Sequence, residues 1–322
     1  MGKERSLWHL SDNQSLIQES VSSQPASKSF KIKSLFSLIS IGTERLIAQG
    51  KVPESLHDEM KVPYMEGSFQ FPLKYGYSLV GEVMEEVEDM QGKYVHLMHP
   101  HQDFCYVNPN DLFEIPKKIP LQRATLASNL ETALTAIWDA QVVIGDRVLV
   151  VGFGLIGSLV ARLLSLMPAV DVMVVEIDES RQKLAKDFGF KVVDELQNSS
   201  PFDIAFHTSA SSSGLQKCID SVGFEGKVVE LSWYGTNKVD INLGGSFHSQ
   251  RKQVISSQVG NIPSTHQSRW NYERRKKVVF ELLKKEIFDL HITDFVDFVD
   301  TPAFFADLRA NKIKGLSYCI KY

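Results

Sequence analysis

From about Ser29 to Pro116 the apolar residues come in short, roughly alternating runs, as in Phe30-Lys31-Ile32-Lys33. Gly42, Pro53, Pro63, Pro72, Gly76, Gly92 and Pro100 punctuate them. A period of two puts one face of each run into a core, and the breaks end the runs, so this stretch predicts a β-rich, irregular unit. Leu126, Leu130, Leu134 and Ile137 then recur at helical spacing and predict a helix with one apolar face. Beyond it, strand-like and helix-like segments alternate. Val148–Val151 leads into a helix through Leu163, and Val172–Glu176 into a helix over Ser180–Phe188. Asp203–Phe206, Lys227–Leu231 and Gln253–Ser256 continue the series. Such alternation implies right-handed βαβ units and a parallel sheet covered on both faces. The final stretch begins with a helix carrying Val278, Val279, Leu282, Leu283 and Ile287 on one face, and the mixed tail after it is free to return to the first unit.

Composition narrows the class. Hydrophobic residues make up 43% and charged residues 23% of 322, which is globular and excludes disordered, collagen-like and coiled-coil chains. That length predicts two domains. Lys+Arg 35 against Asp+Glu 39 leaves a net charge of −4, which argues against a nucleic-acid partner. The basic, aromatic run Arg269–Lys277 does not change that and reads as a solvated helix start; the alternative is that Arg269 or Trp270 closes over a planar or anionic substrate. The longest uncharged apolar stretch, Val148–Ala161, is short of the roughly 20 residues needed to cross a bilayer. The N-terminus lacks the apolar core of a signal peptide. Cys105, Cys218 and Cys319 have neither metal-site nor disulfide spacing, which fits a reducing cytoplasm.

The segment Arg147–Gly157 is a strand followed by Gly152-x-Gly154-x-x-Gly157. Gly152 allows the tight turn, Gly154 lets the backbone approach a pyrophosphate, and Gly157 brings helix close to strand. The first-turn N–H groups at Leu155 and Ile156 then face the phosphates. Glu176 closes the next strand nineteen residues after Gly157, where a carboxylate takes the ribose hydroxyls of NAD and repels a 2′-phosphate. Arg181 nearby keeps NADP open. Thr208, Ser232 and Ser257, at later strand ends, are further cofactor candidates; ordinary strand-end hydrogen bonding is the alternative.

With these features the chain resembles the medium-chain dehydrogenase/reductase superfamily, the zinc alcohol dehydrogenase-like proteins, over nearly its whole length. The resemblance rests on Ile41-Gly42-Thr43-Glu44, Gly76–Val83, Ser128–Ile137, Gly145–Val148 and the nucleotide fingerprint. It implies a GroES-like β-rich catalytic domain at 1–128 and 261–322, with a Rossmann doubly wound domain inserted at 129–260. It also implies that Thr132 touches the nicotinamide. Zinc-dependent members carry C-G-T-D where this chain has Ile41-Gly42-Thr43-Glu44, and G-H-E where it has Gly76-Tyr77-Ser78; the third ligand falls at Ser128. A zinc of the family type needs His, Cys or carboxylate at these positions, so none is expected. Ile39–Leu46 and Tyr77 look like the zinc-less branch that includes the bacteriochlorophyllide hydroxyethyl dehydrogenase.

Without a Lewis acid, another group has to stabilise the substrate oxygen. Tyr77, at the position of a ligand that faced the substrate, is the candidate donor; an aromatic filling the metal's space is the alternative. Thr43 matches the family's proton-relay hydroxyl, or is a turn hydroxyl bonding its own backbone. Glu131, beside Thr132, is either functional or paired with Arg123 or Arg147. His99 and His101 fall where the family lines its substrate pocket, and a new metal site of His99, His101 and Glu131 is the remote alternative. The expectation is a zinc-independent, NAD-dependent oxidoreductase of a small alcohol or carbonyl compound, with a homodimer among the assemblies the resemblance allows. Its rivals are an NADPH-dependent quinone or enoyl reductase and a dinucleotide-binding sensor or structural protein without turnover.

Overall fold

The alternating strands and helices fold into a single parallel sheet. Its six strands are Arg147–Val151, Asp171–Val175, Lys191–Val193, Phe202–His207, Val222–Glu230 and Gln253–Ser256. Numbered in chain order within the sheet, they lie 3-2-1-4-5-6, all parallel, as expected for a doubly wound domain. Near-continuous apolar runs such as Val148–Val151 are buried because helices cover both faces. Leu149, Val151, Val175, Ala205 and Val228 share one core with Leu215 and Ile219 of the helix Ser212–Ser221. In this computed structural model residues 3–21, 29–84, 90–196 and 201–322 are described.

Two units result, Asn129–Arg275 and Met1–Ser128 with Lys276–Tyr322. The dinucleotide unit thus runs to Arg275, beyond the expected end at residue 260. Trp270 packs on Trp138 with ring centroids 4.7 Å apart, and Arg275 reaches Glu131, Thr135 and the Val259 carbonyl, which ties the segment after residue 260 to this unit.

Among the described residues of the other unit the strands are antiparallel, with one exception. Asp294–Asp297, Ser317–Lys321, Phe30–Ser40, Leu79–Val83, Tyr94–Leu97 and Phe113–Glu114 follow in that order, with Phe104–Val107 paired beside Phe30–Ser40. The exception is the parallel pair of Asp294–Asp297 and Ser317–Lys321. The tail therefore does return here, pairing Ser317 with Ser40 and Lys321 with Phe36. A hairpin of Lys3–Ser11 and Gln14–Val21 precedes the β-rich stretch read from Ser29 onward. Polar residues hide its alternation: His9 points inward with Leu7, at 1% and 0% exposure. The helix expected over Val278–Ile287 is Tyr272–Leu283 and ends before Ile287, which falls in a 3-10 segment and is only half-buried; a further helix, Thr301–Arg309, lies in the tail.

Candidate functional site

Covalent geometry shapes the turn after Arg147–Val151. Gly152 has φ +99, a region that favours glycine, and a Cβ there would stand 2.9 Å from the Ser209 nitrogen. Gly157 lies so close beneath that a Cβ would come within 2.1 Å of the Gly152 carbonyl oxygen and 2.5 Å of the Thr208 hydroxyl. Gly154, at the N-cap of the helix Leu155–Ser165, faces open space instead. The first-turn N–H groups, those of Leu155 and Ile156 among them, have no carbonyl within their own helix to bond. Bare backbone, open space and a positive helix end fit a pyrophosphate.

Glu176 sits just past its strand and is 6% exposed. Its Oε2 accepts from the Phe153 N–H at 2.7 Å, inside the glycine turn, and Oε1 accepts from Ile177 and Asp178 at 2.7 and 2.9 Å. The carboxylate thus braces the turn as well as standing where a ribose would be read. Arg181, half-buried in the first turn of Glu179–Asp187, donates its backbone N–H to Asp178.

The other expected cofactor residues occupy strand ends and one helix of the same unit. Thr208 donates its hydroxyl to the Val151 and Gly152 carbonyls, so it buttresses the turn. The Ser232 hydroxyl accepts from the Ala210 N–H at 3.1 Å, and Ser257 donates to Asp139 at 2.6 Å. Thr132 is half-buried on Ala127–Ala140. Glu131 is 3.2 Å from Arg275, both buried; this replaces the expected pairing with Arg123 or Arg147. Arg123 pairs with Asp289 and Arg147 with Asp171. The basic run is correspondingly less solvated than expected, since Arg275 and Lys276 are 5% and 3% exposed. Trp270 stays in it as a half-buried ring with the Arg274 guanidinium 4.0 Å above.

In the β-rich unit, Gly76 brings two segments together. Its φ is +145, and a Cβ would lie 2.9 Å from the His101 nitrogen and 3.0 Å from Pro100 Cα. The backbone leading into Tyr77 therefore runs beside His99–His101, whose His101 N–H donates to the Tyr75 carbonyl at 3.2 Å. Its ring meets Tyr75 edge-on at 6.1 Å, and its carbonyl accepts from Ser128 Oγ at 2.9 Å. Ile41 is 4% exposed and shares a core with Leu7, Ile39 and Ala48. An aliphatic side chain in the core and a serine hydroxyl spent on a carbonyl are not a zinc donor set. Among the described residues no group of three or more His, Cys, Asp or Glu is arranged to hold a metal. His99 Nδ1 is 2.9 Å from the Pro100 carbonyl, and burial foremost, with the Lys74 and His101 charges, lowers its pKa to about 3. Thr43 is half-buried on Ile41–Ala48.

Sequence reasoning missed the use of Glu44. Its carboxylate, 1% exposed, lies 2.9 Å from His101 Nε2 and accepts from the Ser40 N–H. His101 Nδ1 continues to Ser37 Oγ at 2.7 Å, and Ser37 to the Tyr322 hydroxyl at 2.8 Å. Glu44 and His101 are 57 residues apart. The available signal was a glutamate beside the apolar residues Ile41, Leu46, Ile47 and Ala48 of one short helix.

No family model matches the chain. It is 25% identical over 210 residues to the D-guloside 3-dehydrogenase of Escherichia coli, covering 61% of this chain and 59% of that protein. The chain thus matches less than two thirds of the length of that relative. Over all of both chains it superposes on the 2R,3R-butanediol dehydrogenase of Bacillus subtilis with TM-score 0.77 at 19% identity. A Sinorhizobium meliloti protein described as a zinc-binding dehydrogenase, bound to NADP, matches over all of both chains with TM-score 0.80 at 16% identity. These relatives and neighbours support the medium-chain dehydrogenase/reductase superfamily, and the chain shares the fold of its GroES-like and Rossmann domains.

Proposed function

We propose that the protein is a nicotinamide-dependent oxidoreductase of an alcohol or polyol and the matching carbonyl compound, that it prefers NAD, and that it works without zinc. The carrying observation is the open space at Gly154 before the first turn of Leu155–Ser165, with Glu176 at the next strand end. A bound nicotinamide supplies the hydride donor and acceptor. Gly154 leaves room for the pyrophosphate, the first-turn N–H groups hold its charge, and Glu176 accepts a ribose hydroxyl while its charge opposes a 2′-phosphate. The dehydrogenases among the relatives and neighbours support the reaction class.

Zinc independence rests on Ile41, Tyr77 and Ser128 at the ligand positions, although a neighbour is described as zinc-binding. In this reading Tyr77 donates to the substrate oxygen, since a phenol near pKa 10 stays protonated at neutral pH. Thr43 passes the proton onward. His99 has its Nδ1 proton on a carbonyl, leaving Nε2 as an acceptor. Glu131 drops out as terminal acceptor because it is ion-paired with Arg275. Fluorescence titration with NADH and NADPH tests cofactor choice, a polyol and ketone panel tests turnover, and elemental analysis tests the metal. Dialysis-resistant stoichiometric zinc would overturn the zinc-free reading.

A further inference from the structure

The strand Phe202–His207 neighbours Arg147–Val151 where the strand order of the parallel sheet reverses, the place where such sheets hold ligands. At its end His207, fully buried, stands between two partners. Nδ1 is 2.7 Å from Glu230 Oε2 and Nε2 is 2.7 Å from Ser209 Oγ. The Tyr234 hydroxyl donates to Glu230 Oε2 at 2.9 Å, and the Ser232 N–H donates to Oε1 at 2.7 Å. Gly214 reserves the space: a Cβ there would lie 2.2 Å from Ser209 Oγ and 2.8 Å from His207 Nε2. Ser209 itself is exposed and lies against Gly152, the first glycine of the turn.

The bonds have a direction. Burial pushes the Glu230 carboxyl up, but the bonds it accepts from His207 and Ser232 outweigh it and hold it below the usual range. An ionised carboxylate only accepts, so Nδ1 carries a proton toward Glu230, and in the neutral tautomer this geometry selects Nε2 presents a lone pair. The Ser209 hydroxyl therefore donates inward to Nε2. Ser211 Oγ, 2.9 Å away, accepts from the Gly214 N–H and is free to donate to Ser209. One lone pair of Ser209 Oγ is left facing outward.

We propose that Ser209 accepts a ribose hydroxyl of the bound dinucleotide, and that His207 and Glu230 hold it in that sense. The inference rests on the dinucleotide reading. A relay that ends in a carboxylate and presents a lone pair attracts a hydroxyl donor and repels a phosphate. Glu176 already accepts three backbone N–H bonds with about four lone-pair sites, so it has room for one ribose hydroxyl and a second acceptor is needed for another. Ser209 is a binding residue here, and Glu230 a positioning residue.

The test is NADH titration of the full chain by fluorescence. Ser209→Ala should weaken binding about 5- to 10-fold, the worth of one hydrogen bond, with little change in melting temperature. Glu230→Gln should weaken it comparably in the wild-type background and not at all in the Ser209→Ala background, because both act on the same bond. A purely structural role for Glu230 would give the same loss in both backgrounds. Unchanged NADH affinity in Ser209→Ala, with the wild type binding, overturns the inference and leaves the dinucleotide reading standing. A wild type that binds neither NADH nor NADPH overturns both. Labelling of Ser209 by a fluorophosphonate, undiminished by saturating NADH, would also overturn it, by marking the serine as an acyl-transfer nucleophile instead.

Discussion

The glycine turn of the Rossmann unit and the Tyr77 region of the GroES-like unit hold their chemistry in different materials. In the turn the working parts are mostly backbone. A Cβ on Gly152 or Gly157 would meet main-chain atoms at 2.9 or 2.1 Å, so residue identity follows from covalent geometry. Around Tyr77 the working parts are side chains on a frame that does not depend on them. Ile41 fills a ligand position and simply packs with Leu7 and Ile39. A cofactor turn therefore accepts almost no substitution, whereas a reacting group can be exchanged while the fold persists. That difference explains how a complete nucleotide fingerprint can stand beside Ile41, Tyr77 and Ser128.

The sharpest way to break this contrast lies within the turn. Gly154→Val should abolish NADH binding, a loss above ~10³-fold, with a near-wild-type melting temperature, because its Cβ meets nothing in the protein and only the pyrophosphate would be displaced. Gly157→Val should lose binding and also stability, by about 1–3 kcal/mol or more, because the new atoms collide with the Gly152 carbonyl. Retained NADH affinity in Gly154→Val would make the turn merely structural.

Acid should separate the two units next. His9, His96 and His99 are all buried in the GroES-like unit. Burial is the leading cause that lowers His9 and His99 to about 3 and His96 well below the usual range. The unfolded chain takes up these protons near pH 6.5, while the folded chain resists until near pH 3. Stability is therefore full above about pH 6.5 and falls as the pH drops toward 3. At pH 5 His9 and His99 should each cost about 2 kcal/mol. Hydrogen exchange at pH 7 and 5, corrected for intrinsic rates, should show peptides around 3–21 and 94–107 losing protection before those of 147–207. Simultaneous loss would remove the distinction.

Legibility in the sequence divides along the same line. The strands Arg147–Val151, Asp171–Val175, Phe202–His207, Val222–Glu230 and Gln253–Ser256 and the glycine turn were readable because periodicity and short motifs are local, and the backbone obeys them. The partners were not readable. Glu131 meets Arg275 across 144 residues and His101 meets Glu44 across 57, so nothing local marks them. The N-terminal hairpin escaped for a related reason: His9 faces inward, bonded to Ser15, and looks polar in the sequence.

Within the side-chain region, Tyr77→Phe should cut kcat by ~10²-fold with NADH affinity unchanged, since general acid catalysis contributes 10²–10⁴-fold. The backbone there is held by Ser128 on the Tyr77 carbonyl and by the close approach of Gly76, neither of which involves the phenol oxygen. Full activity would return Tyr77 to packing against Tyr75 and move attention to His99. Glu131→Gln should now act on stability rather than on the pH profile, because its partner is a buried guanidinium.

The smallest effect is the most informative, because Glu176 belongs to both sides of the contrast: it is a side chain that braces backbone. Glu176→Ser removes an acceptor for a ribose hydroxyl, a charge opposing a 2′-phosphate, and the bond from the Phe153 N–H inside the turn. The last loss should weaken NADH and NADPH alike. The first should weaken NADH by about 1.5–3 kcal/mol, the range for a hydrogen bond to a charged group, and the second should favour NADPH. Both affinities should therefore move, with the NADH-to-NADPH ratio falling about tenfold or more. Glu176→Gln separates the parts: its amide oxygen can still accept from Phe153, so NADPH should gain without the general weakening. If the wild type already prefers NADPH, the carboxylate serves the turn alone and Arg181 governs the choice. If both variants lower the two affinities equally, Glu176 is a brace and the ribose is read elsewhere.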